Sequence, residues 1–354
     1  KAAAAGAYIL LSMLLLVHPA AALTKNPDIF TYLTIGDTDS LDPAWAYDAP
    51  SQSVIINMYE YLLDFKGSGV QEKDLAPRLA EKVPRLANGL ISQDGLTYRF
   101  PIRKNVKFQD GSLLTPEDVR YSLLRFMLQD RDGGPSVLLL EPILGLDSTR
   151  EGGKLRADIF ELATKAVAVE GDAVVLRLKK PFAPFLGILA RYGAIVSKSW
   201  CALHGQWDGR AETLAEFNNP KRESSYLMEH ANGTGPYGLE RIDKNTRSIF
   251  LARHEGYFRG PAKIKKVVIK VMDEIATRKL MLQAGDADSI YAQEMYFPQL
   301  NNLEGVQVID GFQNIERMAV LFFSFKINMT ANANVGSGKL DGSGIPADFF
   351  ADID

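Results

Sequence analysis

The sequence predicts an α/β fold, and three stretches carry that expectation. In the first, Tyr98, Phe100 and Ile102 alternate with Thr97, Arg99 and Pro101, and Val106 and Phe108 continue the alternation. That period of two marks a half-buried strand. In the second, Val167 and Val169 lead through a Glu170-Gly171-Asp172 turn to Val174, Leu176 and Leu178, the pattern of a hairpin. In the third, an apolar run from Val267 to Met272 precedes a helical pattern from Ile275 to Ala284 and extended residues from Asp288 to Tyr291. A strand–helix–strand unit of this kind implies parallel pairing within a buried sheet.

Tyr32 to Ile35 reads as the first strand after an apolar N-terminus. An EF-hand calcium loop would need glycine where Asp42 stands. The polar run from Asp37 to Pro43 therefore reads as a turn held by side-chain-to-backbone hydrogen bonds. Ser53 to Leu63 carries a helical pattern in Val54, Ile55, Met58, Tyr61 and Leu62. Asp110-Gly111 supplies turn chemistry. Thr115 is then set to cap a helix, with Pro116 at the first helical position and Asp118 placed to bond back to the cap. Val119, Leu123, Phe126 and Met127 share one face of that helix, and Gly133-Gly134-Pro135 ends it.

Residues 155–169 give mixed signals, and the polar stretch 210–230 is expected at the surface. Gly233 to Tyr237 packs two glycines and a proline into five residues, a tight backbone passage. Strands are expected after it, around Arg247 to Ala252 and Lys266 to Met272. Gly285 is placed to stop the helix that precedes it. Met318 to Phe325 reads as a further strand and residues 328–346 as a loop.

With 46% hydrophobic and 23% charged residues the balance is that of a globular protein, and 354 residues suit two domains. A net charge of -3, without a basic stripe or stacked aromatics, argues against a nucleic-acid partner. Residues 1–22 read as a signal peptide. Lys1 is positive, Tyr8 to Val17 is apolar apart from Ser12, and Ala20-Ala21-Ala22 forms a cleavage site. The apolar run is half of the ~20 residues that a membrane span needs. With no cysteine near that site to carry a lipid, the cleaved product is expected free in a periplasm.

The lone cysteine, Cys201, excludes an intramolecular disulfide and a thiolate metal cluster. No G-x-S-x-G elbow or H-E-x-x-H occurs. Around Gly336-Ser337-Gly338-Lys339, Leu340 and Ala333 stand where a phosphate loop needs other residues. His204, His230 and His254 are far apart and read as packing or surface residues. No catalytic residue, cofactor or metal is expected.

The run from Asp94-Gly95 through Tyr98, Phe100, Arg103, Val106-Lys107-Phe108, Asp110-Gly111, Thr115 and Asp118-Val119 resembles the signature of the family 5 extracellular solute-binding proteins, the peptide and nickel receptors of ABC importers. Gln109 stands where that family often has histidine. Asp74 to Ala80, Lys180 to Phe185, Ala194 to Lys198, Gly233 to Tyr237 and His254 to Phe258 are similar to further landmarks of the family. Ser40-Leu41-Asp42-Pro43-Ala44, with Tyr47-Asp48-Ala49, resembles the loop at the edge of its ligand cleft.

The resemblance implies a two-lobed periplasmic-binding-protein fold of class II type. Lobe I would span 23–271, with an inserted subdomain at about 50–190, and 272–354 would begin an incomplete lobe II. It implies a monomeric receptor, not an enzyme, that hands short peptides to membrane permease subunits by hinge closure. Ser40, Trp45 and Tyr47 are the ligand-binding candidates of the first lobe, and Tyr291 of the second. The family's acidic residue for the peptide amino terminus lies further along lobe II, so this stretch alone is expected to bind peptides weakly or not at all. The alternatives are an extracytoplasmic hydrolase and a sensory or chaperone-like protein on the same scaffold.

Overall fold

The computed structural model describes residues 25–309 apart from Ser68 and Val70, all within one compact unit. The signal peptide, the Met318 to Phe325 strand and the Gly336 to Lys339 stretch lie outside the described residues.

In chain order the elements begin with β1 (Ile29–Thr34), α1 (Ala49–Met58), β2 (Leu63–Phe65), β3 (Leu75–Pro77), β4 (Thr97–Pro101) and α2 (Pro116–Gln129). Then come α3 (Val137–Leu144), β5 (Arg150–Glu151), β6 (Lys154–Leu155), α4 (Ile159–Ala166), β7 (Val167–Glu170) and β8 (Ala173–Arg177). The short helices α5 (Phe185–Leu189), α6 (Lys198–Leu203) and α7 (Leu214–Phe217) precede β9 (Tyr237–Asp243), β10 (Ser248–Arg253) and β11 (Lys266–Val271). The described chain closes with α8 (Ile275–Gln283), β12 (Ser289–Ile290) and α9 (Phe297–Leu300).

Two sheets organise these elements. One has five strands in the order β12-β1-β11-β10-β9. β1 is parallel to both β11 and β12, while β10 is antiparallel to β9 and β11. The strand–helix–strand unit at its edge was legible in the sequence. Its strands are only half-buried, because an antiparallel hairpin forms the rest of the sheet and leaves a solvated face. The second sheet is antiparallel, in the order β4-β8-β7, and includes the expected hairpin. Tyr98, Phe100 and Ile102 are buried there, as their alternation predicted.

After Val271 the chain forms α8 and returns to the same sheet, with Ser289 and Ile290 opposite Tyr32 and Leu33. Tyr291 sits beside β1, and its N–H donates to the Leu33 carbonyl at 2.8 Å.

The capping box of α2 is complete. Thr115 accepts from the Asp118 N–H, and the Asp118 carboxylate accepts from the Thr115 N–H at 2.9 Å. Thr115→Ala is expected to cost about 1 kcal/mol in a urea unfolding curve; no measurable loss would show that the cap is redundant.

Other boundaries differ from the sequence pattern, and tertiary partners explain the differences. α2 stops at Gln129, before the glycines, with Asp130 left-handed at φ 34°. There the Gln129 carbonyl accepts the Asn219 N–H at 2.7 Å, and the Asp130 carboxylate takes Ser148 and Thr149. α1 starts at Ala49, not Ser53, because Asp48 caps it through the Ser51 N–H with Pro50 in its first turn. It ends at Met58, whose carbonyl accepts the Gly235 N–H at 2.9 Å. Residues 155–169 resolve into α4 and β7. The stretch 210–230 is partly interior: Leu214, Ser225, Leu227 and Met228 are buried. Within the landmark Ala194 to Lys198, residues 194–197 form an irregular segment leading to α6, which Ser197 caps.

Candidate ligand-binding site

The carboxyl ends of β1 and β11 face the same way, because the two strands are parallel. In open α/β sheets that edge is where ligands bind. The loop that leaves β1 is held as its composition predicts. The Ser51 hydroxyl accepts from the Asp39 and Ser40 N–H groups, Ser40 Oγ accepts from the Asp42 N–H, and Asp42 Oδ1 accepts from the Ala44 N–H. The sequence did not foretell the next layer. Arg125 of α2 meets Asp42 through two bonds of 2.6 Å, and Ser225 Oγ donates to the same carboxylate at 2.7 Å. Burial alone would push the Asp42 carboxyl up, but Arg125, Ser225 and the Ala44 N–H hold it below the usual range.

Gln109 joins three segments that are distant in sequence. Its Nε2 donates to the Met58 and Tyr237 carbonyls at 2.7 and 2.8 Å, and its Oε1 accepts from the Gly233 N–H at 2.7 Å. The signature run, the end of α1 and the Gly233 to Tyr237 passage thus form one junction beneath the loop.

Beside this loop lies a cavity of about 320 Å³. Leu41, Met228, Ile242, Ile249, Ile269 and Val271 are its apolar lining. Its rim is charged and bridges separate elements. Arg222 pairs with Asp39 at 2.5 Å and Lys244 with Glu229 at 2.5 Å. Arg247 grips Asp37 through two bonds of 2.8 and 2.7 Å and reaches Asp273 at 2.6 Å. Arg247 keeps the Asp37 carboxyl below its ordinary range. These pairs are exposed, so they set geometry more than stability.

The four residues singled out from the sequence do not converge on this cavity. Ser40 is 1% exposed, and its hydroxyl holds the turn. Trp45 lies under the Arg131 guanidinium, 4.7 Å from its ring centroid, and its carbonyl accepts from Arg131 Nε and Nη2. Tyr47 is 52% exposed and packs on Tyr192 at 6.1 Å, with Phe126 behind Tyr192 at 6.4 Å. Tyr291 is 42% exposed at the end of β12. Asp37, Arg222, Arg247 and Tyr192 were not foreseen. Only Asp37 carried a signal, as part of the polar loop; the others contribute through long-range contacts that no spacing reveals.

No histidine or cysteine lines this cavity. Among the described residues no group of three or more metal-ligating side chains occurs. His204 and His230 stack on the two faces of Tyr226, at 4.5 and 3.8 Å, and His254 Nδ1 meets the Gly235 carbonyl at 3.1 Å. Burial pushes the Cys201 thiol up to about 11, away from thiolate chemistry.

The model of the bacterial extracellular solute-binding proteins, family 5, matches residues 74–337, about three quarters of the chain. The chain belongs to this family.

Among family 5 relatives, a probable D,D-dipeptide-binding periplasmic protein, DdpA of Escherichia coli K12, is 26% identical over 292 residues, covering 81% of this chain and 47% of its own length. The glutathione-binding protein GsiB of Salmonella typhimurium LT2 is 28% identical over 272 residues, covering 75% of this chain and 43% of its own. The chain thus spans about half the length of the curated relatives it matches.

Solved structures of the same fold include DppA from Helicobacter pylori in complex with the peptide STSA. It has a TM-score of 0.55 and 22% identity, over 78% of this chain and 49% of that one. The oligopeptide-binding protein AppA of Bacillus subtilis, in complex with a nonapeptide, has a TM-score of 0.56 and 22% identity, over 77% and 45%. NikZ of Campylobacter jejuni, in complex with Ni(L-His), has a TM-score of 0.53 and 17% identity, over 78% and 46%. Family 5 proteins are binding proteins of ABC importers. That places the chain in an α/β fold of the two-lobed periplasmic type.

Proposed function

We propose that the protein is a periplasmic receptor that delivers short peptides to an ABC-type importer. The observation that carries this reading is the lobe's carboxyl-edge surface, where an apolar-lined cavity with a charged rim lies beside the braced loop that carries the exposed Tyr47. Concave sites with an apolar lining and a few placed polar groups suit small ligands. The curated relatives DdpA and GsiB, named for a D,D-dipeptide and for glutathione, support a peptide.

The mechanism is hinge closure. A ligand held by both walls of the cleft favours the closed state by the contacts that only that state makes, and permease subunits recognise the closed form. Tyr47 offers a ring to a ligand side chain, and Tyr291 stands on the same edge. The receptor works as a monomer, exported through cleavage of the N-terminal signal.

Mass spectrometry of small molecules released from the natively purified full-length protein tests the ligand class. Short peptides are expected, and a metal chelate or a sugar acid would displace this reading. Tyr47→Ala is expected to weaken calorimetric binding of the co-purifying peptide about tenfold, or ~1.4 kcal/mol.

A further inference from the structure

The turn that follows β10 is fastened to the inserted part of the chain by one cluster of side chains. The Tyr257 hydroxyl donates to the Glu60 carboxylate. Arg78 Nε lies 3.5 Å from Glu60 Oε2, yet it donates to Asp64 at 2.7 Å, and Arg78 Nη1 reaches the Tyr257 hydroxyl at 3.3 Å. Arg103 adds a bond from Nε to the Arg78 carbonyl at 3.1 Å and sets its guanidinium 5.4 Å from the centre of the Phe258 ring. Asp64, Arg78, Tyr257, the neighbouring Tyr61 and, further off, Arg259 are charged or titratable groups that act on Glu60.

One guanidinium therefore serves two carboxylates, and the better-solvated Asp64 holds the closer bond. Glu60 is 4% exposed, with one strong hydrogen bond and a long ion pair. A buried carboxylate so poorly compensated disfavours its charged form. Burial raises its proton affinity, and Arg78 and Tyr257 offset this only in part.

We propose that Glu60 is a proton-sensitive clasp between the inserted segment and the turn at residues 254–260. Taking up a proton on mild acidification removes a buried charge and strengthens the seat of the turn. The unprotonated oxygen of the Glu60 carboxyl group still accepts from the Tyr257 hydroxyl in the protonated form, and Arg78 remains with Asp64. The sign follows from linkage. A carboxyl with a raised folded-state affinity contributes stability that is complete below its unfolded value and is lost as pH rises through the folded one. The clasp does not depend on which ligand the protein carries.

Thermal unfolding of the full chain at about pH 7.5 and about pH 5 tests the proposal. Glu60→Gln keeps the shape and the acceptor without the charge. It is expected to melt about 2–4 °C above the wild type at the higher pH, and level with it at the lower. Asp64→Asn releases Arg78 to Glu60 and is expected to shrink the gap between the two pH values. A Glu60→Gln variant that melts below the wild type at about pH 7.5, or a difference unchanged between the two conditions, overturns the clasp.

Discussion

Asp42→Ala is expected to lower the unfolding free energy by about 3–5 kcal/mol, the loss seen when one partner of a buried ion pair is removed. Asp42 is fully buried and Arg125 nearly so, and the two exchange a pair of 2.6 Å bonds. Alanine leaves the guanidinium in the core with no carboxylate opposite it. It also strips Ser225 and the Ala44 N–H of their acceptor.

Urea unfolding read by tryptophan fluorescence measures the loss. A companion variant, Asp42→Leu with Arg125→Met, removes both charges and should recover most of the stability, since buried pairs exchanged for packed apolar groups are often neutral. A loss below about 1 kcal/mol for Asp42→Ala would mean that solvent reaches the pair. The pH dependence has a definite sign. The folded-state carboxyl is held low, so its contribution is present above the unfolded value and lost as pH falls through the folded one. The variant should lose less on acidification than the wild type. Glu60 runs in the opposite direction, which separates the two effects.

Gly235→Ala is the second large effect. A methyl group there would lie 2.6 Å from the Met58 carbonyl carbon and 2.8 Å from the Met58 and Asn57 carbonyl oxygens. These are backbone atoms at the end of α1 and cannot swing aside. The Gly235 N–H also bonds the Met58 carbonyl, so a shift that relieves the clash loosens that bond. Gly233 is still tighter against the same carbonyl. The expected cost is at or above the top of the ~1–3 kcal/mol range for overpacking. Gly187→Ala is the control. Its methyl would meet only the Phe65 ring edge at 3.8 Å, and the helical backbone should gain about 0.4–1 kcal/mol. Equal behaviour of the two variants in chemical denaturation would overturn the close-approach argument.

Local chemistry was readable wherever neighbours in sequence decide the outcome. The Thr115 to Asp118 capping box, the Glu170 to Asp172 hairpin turn and the alternation of Tyr98, Phe100 and Ile102 are of this kind. So is the Ser40 to Ala44 turn, whose side chains bond backbone groups two residues away. The candidate site was read less well. Tyr47 was chosen because the loop resembles a cleft edge, and it is open to a ligand. Ser40 and Trp45 were chosen on the same ground, yet one holds a turn and the other packs under Arg131. The joining role of Gln109 was not legible, because its three partners lie 51 to 128 residues away.

The sequence by itself determined the α/β class, the family, the strands β1, β4, β7, β8 and β10 to β12, and the helices α1, α2 and α8, because periodicity, caps and turns act over a few residues. Only the tertiary structure decided that Asp42 is neutralised by Arg125, that α2 ends at Gln129, and that the chain beyond Val271 rejoins the first sheet. Each of these is a choice of partner for a charge, a carbonyl or a strand edge. Such groups must be satisfied somewhere, and which distant group satisfies them is set by the packing of the whole chain.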